Sequence, residues 1–596
     1  MTVRPLRRAL FALAPIAAAL SACSGPAAQA RTDTKDPVAA ATALADEYFA
    51  GLLEFTPEAA TFWGLKDARH NGIFDASPEA FQRWREREDA WLTRAGTIDP
   101  ASLDGKPEAV AYAVLRESLE SAQRSRVCRG ELWSVNQLSG WQVLYPRLGA
   151  LQPLGDSASR AQALARWHGI PKLIEQNIAN LQEGVRQGYT APRGNVDAVL
   201  EQVDALIAAA PEKSPFALMA GRDSTPGFRK ALIAIVRHEI RPALQRYRAY
   251  LGDQYRAKAR TNPAVAALPN GAECYRATLR AFTTLDLDPK QVHELGLREM
   301  ARIEAEMRTI GRRSFGTLDV KTLLERLRTD PKYTFRSREE LIRVAEDAVT
   351  RAKAAAPKMF NRMPKADMIV DPCQPFEEKS GCPGSYSQAS EDGSRPGRYR
   401  INAGSPRDTP RATAEATAFH EGIPGHHFQV ALAAERPHAH PLTRYLFNSG
   451  FGEGWALYAE QVANELGLYS SDLDQMGRLS SDALRAARLV VDPGIHALGW
   501  SRHQAIDYMA AHTAESKAFI ESEVDRYIIL PGQATAYMVG RLEIERLRRE
   551  AERRMGDRFD LRAFHDRVLE DGSVPLSMLR RTIERWAAEG AKPATS

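Results

Sequence analysis

"HEGIPGHHFQ", residues 420–429, opens like a zinc-peptidase signature and then departs from it. The usual pair is His-Glu-x-x-His on a helix, where residues four apart lie about 6 Å from each other on nearly one face and two imidazoles can share one zinc. Here the fourth position after His420 is Pro424, and the next histidines are His426 and His427. In an unbroken helix His426 would sit about 120° off the face of His420, and His427, back on that face, about 10.5 Å away. Pro424 cannot donate to the His420 carbonyl and its ring crowds that turn, while Gly425 loosens the backbone further. A bulge absorbing two residues brings His426 into the fourth-position register, whereas His427 would need three absorbed. His426 is therefore the expected partner of His420, with His427 as its alternative and otherwise a neighbour of the ligands or a contact to substrate.

The flanking sequence places these residues on helices. In "DTPRATAEATAFHEG" Thr409 is suited to capping, Pro410 to the first turn, and the alanines carry the helix toward His420. A catalytic zinc needs a third protein ligand and one position open to water. "FGEGWALYAEQ" supplies Glu453, set between two glycines where one backbone can pack closely on another, and Glu460 seven residues later on almost the same face. Glu453 is the expected third ligand. Glu460 is either an acceptor for a ligand histidine or a solvated carboxylate. Glu421, beside a ligand but projecting to another side, fits a general base. Tyr527 and Tyr537 in "DRYIILPGQATAYMVGR" and His496 in "DPGIHALGW" are candidate donors to an oxyanion, although buried tyrosines more often serve the core.

"HEGIPGHHFQ", "FGEGWALYAEQ", "DPGIHALGWSRHQAI" and "LPGQATAYMVGR", in this order, together with "TPEAATFWG" near the N-terminus, resemble the bacterial domain-of-unknown-function 885 family. The resemblance covers nearly all of the chain from about residue 40 to about 590. It implies a mainly α, multi-helix fold around a deep cleft with a small β element near the site, similar to gluzincin peptidases. It also implies one zinc per chain held by His420, His426 and Glu453, with Glu421 as base. The stretch "GSYSQASEDGSRPGRYRIN" looks like an active-site wall, in which "GRYRIN" is suited to pairing with an extended substrate backbone. Arg395, Arg398 and Arg526 are candidates to bind a terminal carboxylate, among arginines that mostly belong to the surface.

The rest of the chain agrees with a large helical enzyme. Val292, Leu295, Met300, Ile303, Met307 and Ile310 recur at helical spacing, with methionines that read as core. Asp36-Pro37 and Thr56-Pro57 read as helix starts, and the best strand candidate is 397–402. There is no Gly-x-Ser-x-Gly elbow, no phosphate-binding glycine loop and no dinucleotide loop. With 80 basic against 75 acidic residues the formal charge is only +5, which gives no case for nucleic-acid binding.

Arg4, Arg7 and Arg8 precede an apolar run from Ala9 to Leu20, followed by "LSAC", the layout of a bacterial lipoprotein signal with cleavage before a lipidated Cys23. Residues 1–22 then form the signal, 23–40 a flexible tether and 41–590 the helical domain, on the periplasmic side of an inner or outer membrane. Four more cysteines, Cys128, Cys274, Cys373 and Cys382, suit an oxidising compartment. Cys373 and Cys382 read as a local staple and Cys128 with Cys274 as a second pair, among three pairings that the sequence leaves open. The expected activity is hydrolysis of short peptides. A metal-dependent amidase acting on cell-wall peptides and a non-catalytic periplasmic binding lipoprotein are the rival readings.

Overall fold

The computed structural model describes residues 36–373, 378, 384–390, 395–436 and 439–591. The signal segment, Cys23, most of the tether and Cys382 lie outside the described residues. Helices hold 72% of the described residues and strands 3%, so the fold is mainly α and the sheet is a local device. No helix among the described residues is long and apolar enough to cross a membrane.

Helix starts follow capping chemistry. Asp36 accepts from the Val38 amide at the head of Pro37–Phe55, and Asp288 accepts from Lys290 and Gln291 at the head of Pro289–Ile310. Thr56 instead ends the first helix, and the short helix Glu58–Phe62 follows Pro57 without a side-chain cap. On Pro289–Ile310 the residues Val292, Met300, Ile303, Met307 and Ile310 are buried and Leu295 is half-buried, so the methionines are core.

The apolar interior falls into separate clusters. One joins helices between Trp141 and Tyr255, a second joins Pro37–Phe55 to Glu108–Ser125, and the largest, which takes Val110 and then runs from Leu279 to Ala587, surrounds the histidine motif. At its centre lies the helix Asp472–Leu498, buried along most of its length. A disulfide between Cys128 and Cys274 links segments 146 residues apart. Cys373 is also disulfide-bonded, and the expected Cys373–Cys382 staple falls on a residue outside those described.

The sheet has strands β1 (Met368–Pro372), β2 (Ser385–Ser387) and β3 (Gly397–Ile401) in the order β1-β3-β2. β3 pairs parallel to β1 and antiparallel to β2, with Gly397, Tyr399 and Ile401 turned inward. This corrects one expectation: "GRYRIN" is the central strand, its backbone already paired on both edges, and β2 is the outer strand beside the histidine motif.

Candidate metal centre

The helix leading to the motif begins later than expected. Residues 406–410 are held against the preceding segment, with Phe335 donating its amide to the Pro406 carbonyl and Thr334 bridging Pro410. Pro410 is therefore extended, and the helix proper is Ala414–Glu421. Nor is there a bulge at Pro424. The helix ends at Glu421, the turn Gly422–Gly425 contains a cis Ile423–Pro424 bond, and a second helix starts at His426 and runs to Ala434. The Gly425 amide reaches back to the Phe419 carbonyl at 3.0 Å, and Trp455 donates its indole N–H to the Pro424 carbonyl at 3.0 Å. A Cβ at Gly425 would fall on the His420 carbonyl, which is why the turn needs glycine there.

The turn redirects the chain so that His426 meets His420, with ring centroids 5.0 Å apart and planes at 89°. Glu453 comes from the helix Ser449–Glu465, which crosses Ala536–Met555 backbone to backbone: a Cβ at Gly454 would lie 2.5 Å from Gly540 Cα. Glu453 Oε2 is 3.6 Å from His420 Nε2 and 3.5 Å from His426 Nε2. One atom from each of these three residues that could serve as a metal ligand lies within 4.8 Å of the others.

Charge compensation continues behind the cluster. His420 Nδ1 is 2.9 Å from Glu460 Oε1, and Glu460 is fully buried. Burial pushes the His420 imidazole down, but the Glu453 and Glu460 carboxylates hold it up at about 9. Burial pushes Glu453 up, and the two imidazoles outweigh that and hold its carboxyl far below the usual range. His427 stands outside the cluster, with Nδ1 2.9 Å from the Tyr386 hydroxyl on β2, and burial lowers it to about 4.

The cluster sits in the wall of a cavity of about 760 Å3 that Glu421, Tyr386, Arg485, Arg488, Glu523 and Tyr537 also line. The Tyr537 ring is 6.5 Å from the His420 ring, with the Arg488 guanidinium 4.3 Å from its centroid. Tyr527 and His496 lie elsewhere. The Tyr527 hydroxyl donates to Glu523 and accepts from Arg488, and both His496 nitrogens meet backbone, the Val265 amide and the Tyr527 carbonyl. Arg526 lines the cavity, Arg398 pairs with Asp371 and Arg395 is exposed. A larger hollow of about 960 Å3, beside Lys106 and Trp586, has no such cluster, and its Arg116, Arg280, Arg567 and Arg585 are ion-paired.

The sequence placed the stretch that carries Tyr386 at the site without singling that residue out, and Arg485 and Arg488 were missed. The last two had a signal, since arginines three apart in "DALRAARLVVD" interrupt an otherwise apolar helix.

No curated protein matches the chain. A crystal structure from Colwellia psychrerythraea, provisionally designated a lipoprotein, superposes with a TM-score of 0.85 at 27% identity, covering 93% of this chain and 100% of that one. A structure from Shewanella oneidensis, with the same provisional designation and described as of unknown function, gives a TM-score of 0.74 at 17% identity, over 91% and 99%; it shows a shared fold. The model of the family described as "Bacterial protein of unknown function (DUF885)" matches residues 57–583, nearly the whole described chain, and the chain belongs to that family.

Proposed function

We propose that the chain is a zinc-dependent peptidase that hydrolyses short peptides outside the cytoplasm, in a helical gluzincin-like cleft, tethered to a bacterial membrane through a lipid on Cys23. The observation that carries this reading is the convergence of His420, His426 and Glu453 in a cavity wall that also holds Glu421. Tetrahedral zinc with bonds of about 2.0–2.1 Å spaces its ligand atoms roughly 3.3 Å apart. The 3.5 and 3.6 Å separations from Glu453 Oε2 are close to that and too long for hydrogen bonds. Two imidazoles and one carboxylate are a donor set of catalytic zinc sites that keep a position open to water.

When bound, zinc supplies a Lewis acid that acidifies water and polarises the scissile carbonyl. Glu421 takes the proton of the attacking water and returns it to the leaving amine as the C–N bond breaks. Tyr537, kept protonated because burial pushes its phenol up, donates to the developing oxyanion. Glu460 fixes the His420 tautomer so that Nε2 faces the metal. The outer strand β2, whose Ser385 and Tyr386 line the cavity, supports backbone pairing with an extended substrate. Export and lipidation rest on the Arg4-to-Cys23 pattern, and the designation of both structural neighbours supports them.

The test is a peptide-library digest by zinc-loaded wild type and Glu421→Gln, with zinc content measured in both. The variant is expected to keep its metal and lose about 10²- to 10⁴-fold in turnover. Equal turnover in the two proteins would remove Glu421 from the chemistry. No turnover in wild type would favour the non-catalytic binding lipoprotein, and cleavage confined to cell-wall peptides the amidase.

A further inference from the structure

We propose that Arg485 and Arg488 form a subsite for the free C-terminal carboxylate of the substrate, which makes the chain an exopeptidase acting from the C-terminal end. The proposal rests on the peptidase reading above and adds its substrate class.

Three arginines line the cavity, and they are not equivalent. Arg526 is committed: Nε and Nη2 bond to Glu523, and Nη1 bonds to Gln533. Arg488 gives Nε to the Tyr527 hydroxyl at 3.0 Å and Nη2 to Glu523 at 2.7 Å. Its Nη1 is buried without a hydrogen-bond partner among the described residues, in a side chain only 6% exposed. Arg485 gives Nη1 to Ser481, has Nη2 3.8 Å from Glu460, and buries Nε without a partner. Two neighbouring guanidinium groups that line the cavity are thus each left with a buried N–H that the protein does not satisfy, so neither charge is fully compensated. Leaving a charged donor unmade in low dielectric is costly, and a carboxylate is the acceptor that the guanidinium fork matches best.

The carboxylates facing this pair do not take those donors. Glu523 is occupied by Arg488, Arg526 and Tyr527. Glu460 accepts from the His420 ring, and its other oxygen is buried without a partner. Glu515 lines the same wall without a hydrogen bond to either arginine, and burial pushes its carboxyl up, toward the neutral form. The place also fits. Arg488 lies 4.3 Å from the Tyr537 ring, which lies 6.5 Å from the His420 ring, so the anion would sit within about one to three residues of the metal ligands at roughly 3.4 Å per extended residue. Water cleaves the peptide C–N bond, and a fragment of that length leaves with its own carboxylate on the arginines.

The test uses a peptide as the free acid, the same peptide as its C-terminal amide, and an amide in which the last residue is replaced by glutamate. Hydrolysis is followed with zinc-loaded wild type, Arg485→Gln and Arg488→Lys, and binding by calorimetry with zinc-loaded Glu421→Gln, alone and combined with each arginine variant. Zinc content and thermal melts confirm that each protein is folded, and Arg485→Gln, the less buried site, serves if Arg488→Lys does not fold. The free acid is expected to bind and react at least about 10-fold better than its amide, mainly through KM, with Arg485→Gln erasing the difference. Equal cleavage of acid and amide overturns the subsite and leaves the peptidase reading standing. An acid preference that survives in both arginine variants belongs to the metal and also overturns it. Rescue by the glutamate side chain overturns C-terminal specificity. Arginine-dependent preference in binding without any wild-type hydrolysis supports the subsite and sinks the peptidase reading.

Discussion

His420 divides its two ring nitrogens between two carboxylates. Nδ1 is 2.9 Å from buried Glu460, which leaves Nε2 facing Glu453 and His426. Glu460→Gln keeps the size of the side chain and removes the charge that makes the imidazole a better ligand. Zinc affinity measured by competition with a chelator is expected to fall about 10- to 100-fold, and an unchanged affinity would contradict the assigned role. At this scale the convergence of the candidate site was largely legible. Metal chemistry restricts both residue type and spacing, so His420, Glu421 and Glu453 stand out in the chain. The His427–Tyr386 pair was not legible, because it depends on where β2 lands against a helix that begins 39 residues later.

The helices around the site depend on close backbone approach and on one buried acid. Gly454 and Gly540 leave no room for a methyl group. Gly454→Ala is expected to lower stability by about 1–3 kcal/mol and to weaken zinc retention by displacing Glu453, as urea unfolding and metal analysis would show. Asp492 accepts from the Tyr275 hydroxyl and the Gly532 amide, joining the long central helix to the turn before Ala536–Met555. Burial raises its carboxyl to about 7 against those hydrogen bonds. A folded-state value above the unfolded one means that the native state holds the proton more tightly, so stability falls as pH rises from about 4 to about 7 and is level above that. Asp492→Asn retains an acceptor without the charge. The stability difference between variant and wild type is expected to shift in favour of the variant by about 4 kcal/mol over that window, measured by urea unfolding at several pH values. A difference that does not change with pH would show that Asp492 does not titrate there. The break after Glu421 and the late start at Ala414 were not legible, because Pro424 and Pro410 signal a perturbation without saying which neighbouring backbone will capture the chain.

For the whole molecule, helical periodicity was enough to give a mainly α fold, since amphipathic stripes such as Val292 to Ile310 are local. The partition of the core was not legible, because it depends on contacts between residues far apart in sequence. The Cys128–Cys274 link was read from the sequence as one of three open pairings, but not what it joins: it spans 146 residues between segments that bury Tyr189, Val265 and Tyr275 around it. Replacing both cysteines with alanine is expected to lower stability by about 2–4 kcal/mol, largely by freeing the unfolded chain. Denaturation of the double variant against oxidised wild type measures this, and equal midpoints would show that the link contributes nothing.

The proposed chemistry requires that His420, His426 and Glu453 hold one zinc. Its most direct test is zinc per chain, by mass spectrometry of elemental content, in purified wild type, His426→Ala and His427→Ala handled identically. About one zinc is expected in wild type, with loss in His426→Ala and retention in His427→Ala. Retention in His426→Ala, or a wild type that takes up no zinc when it is supplied, would contradict it.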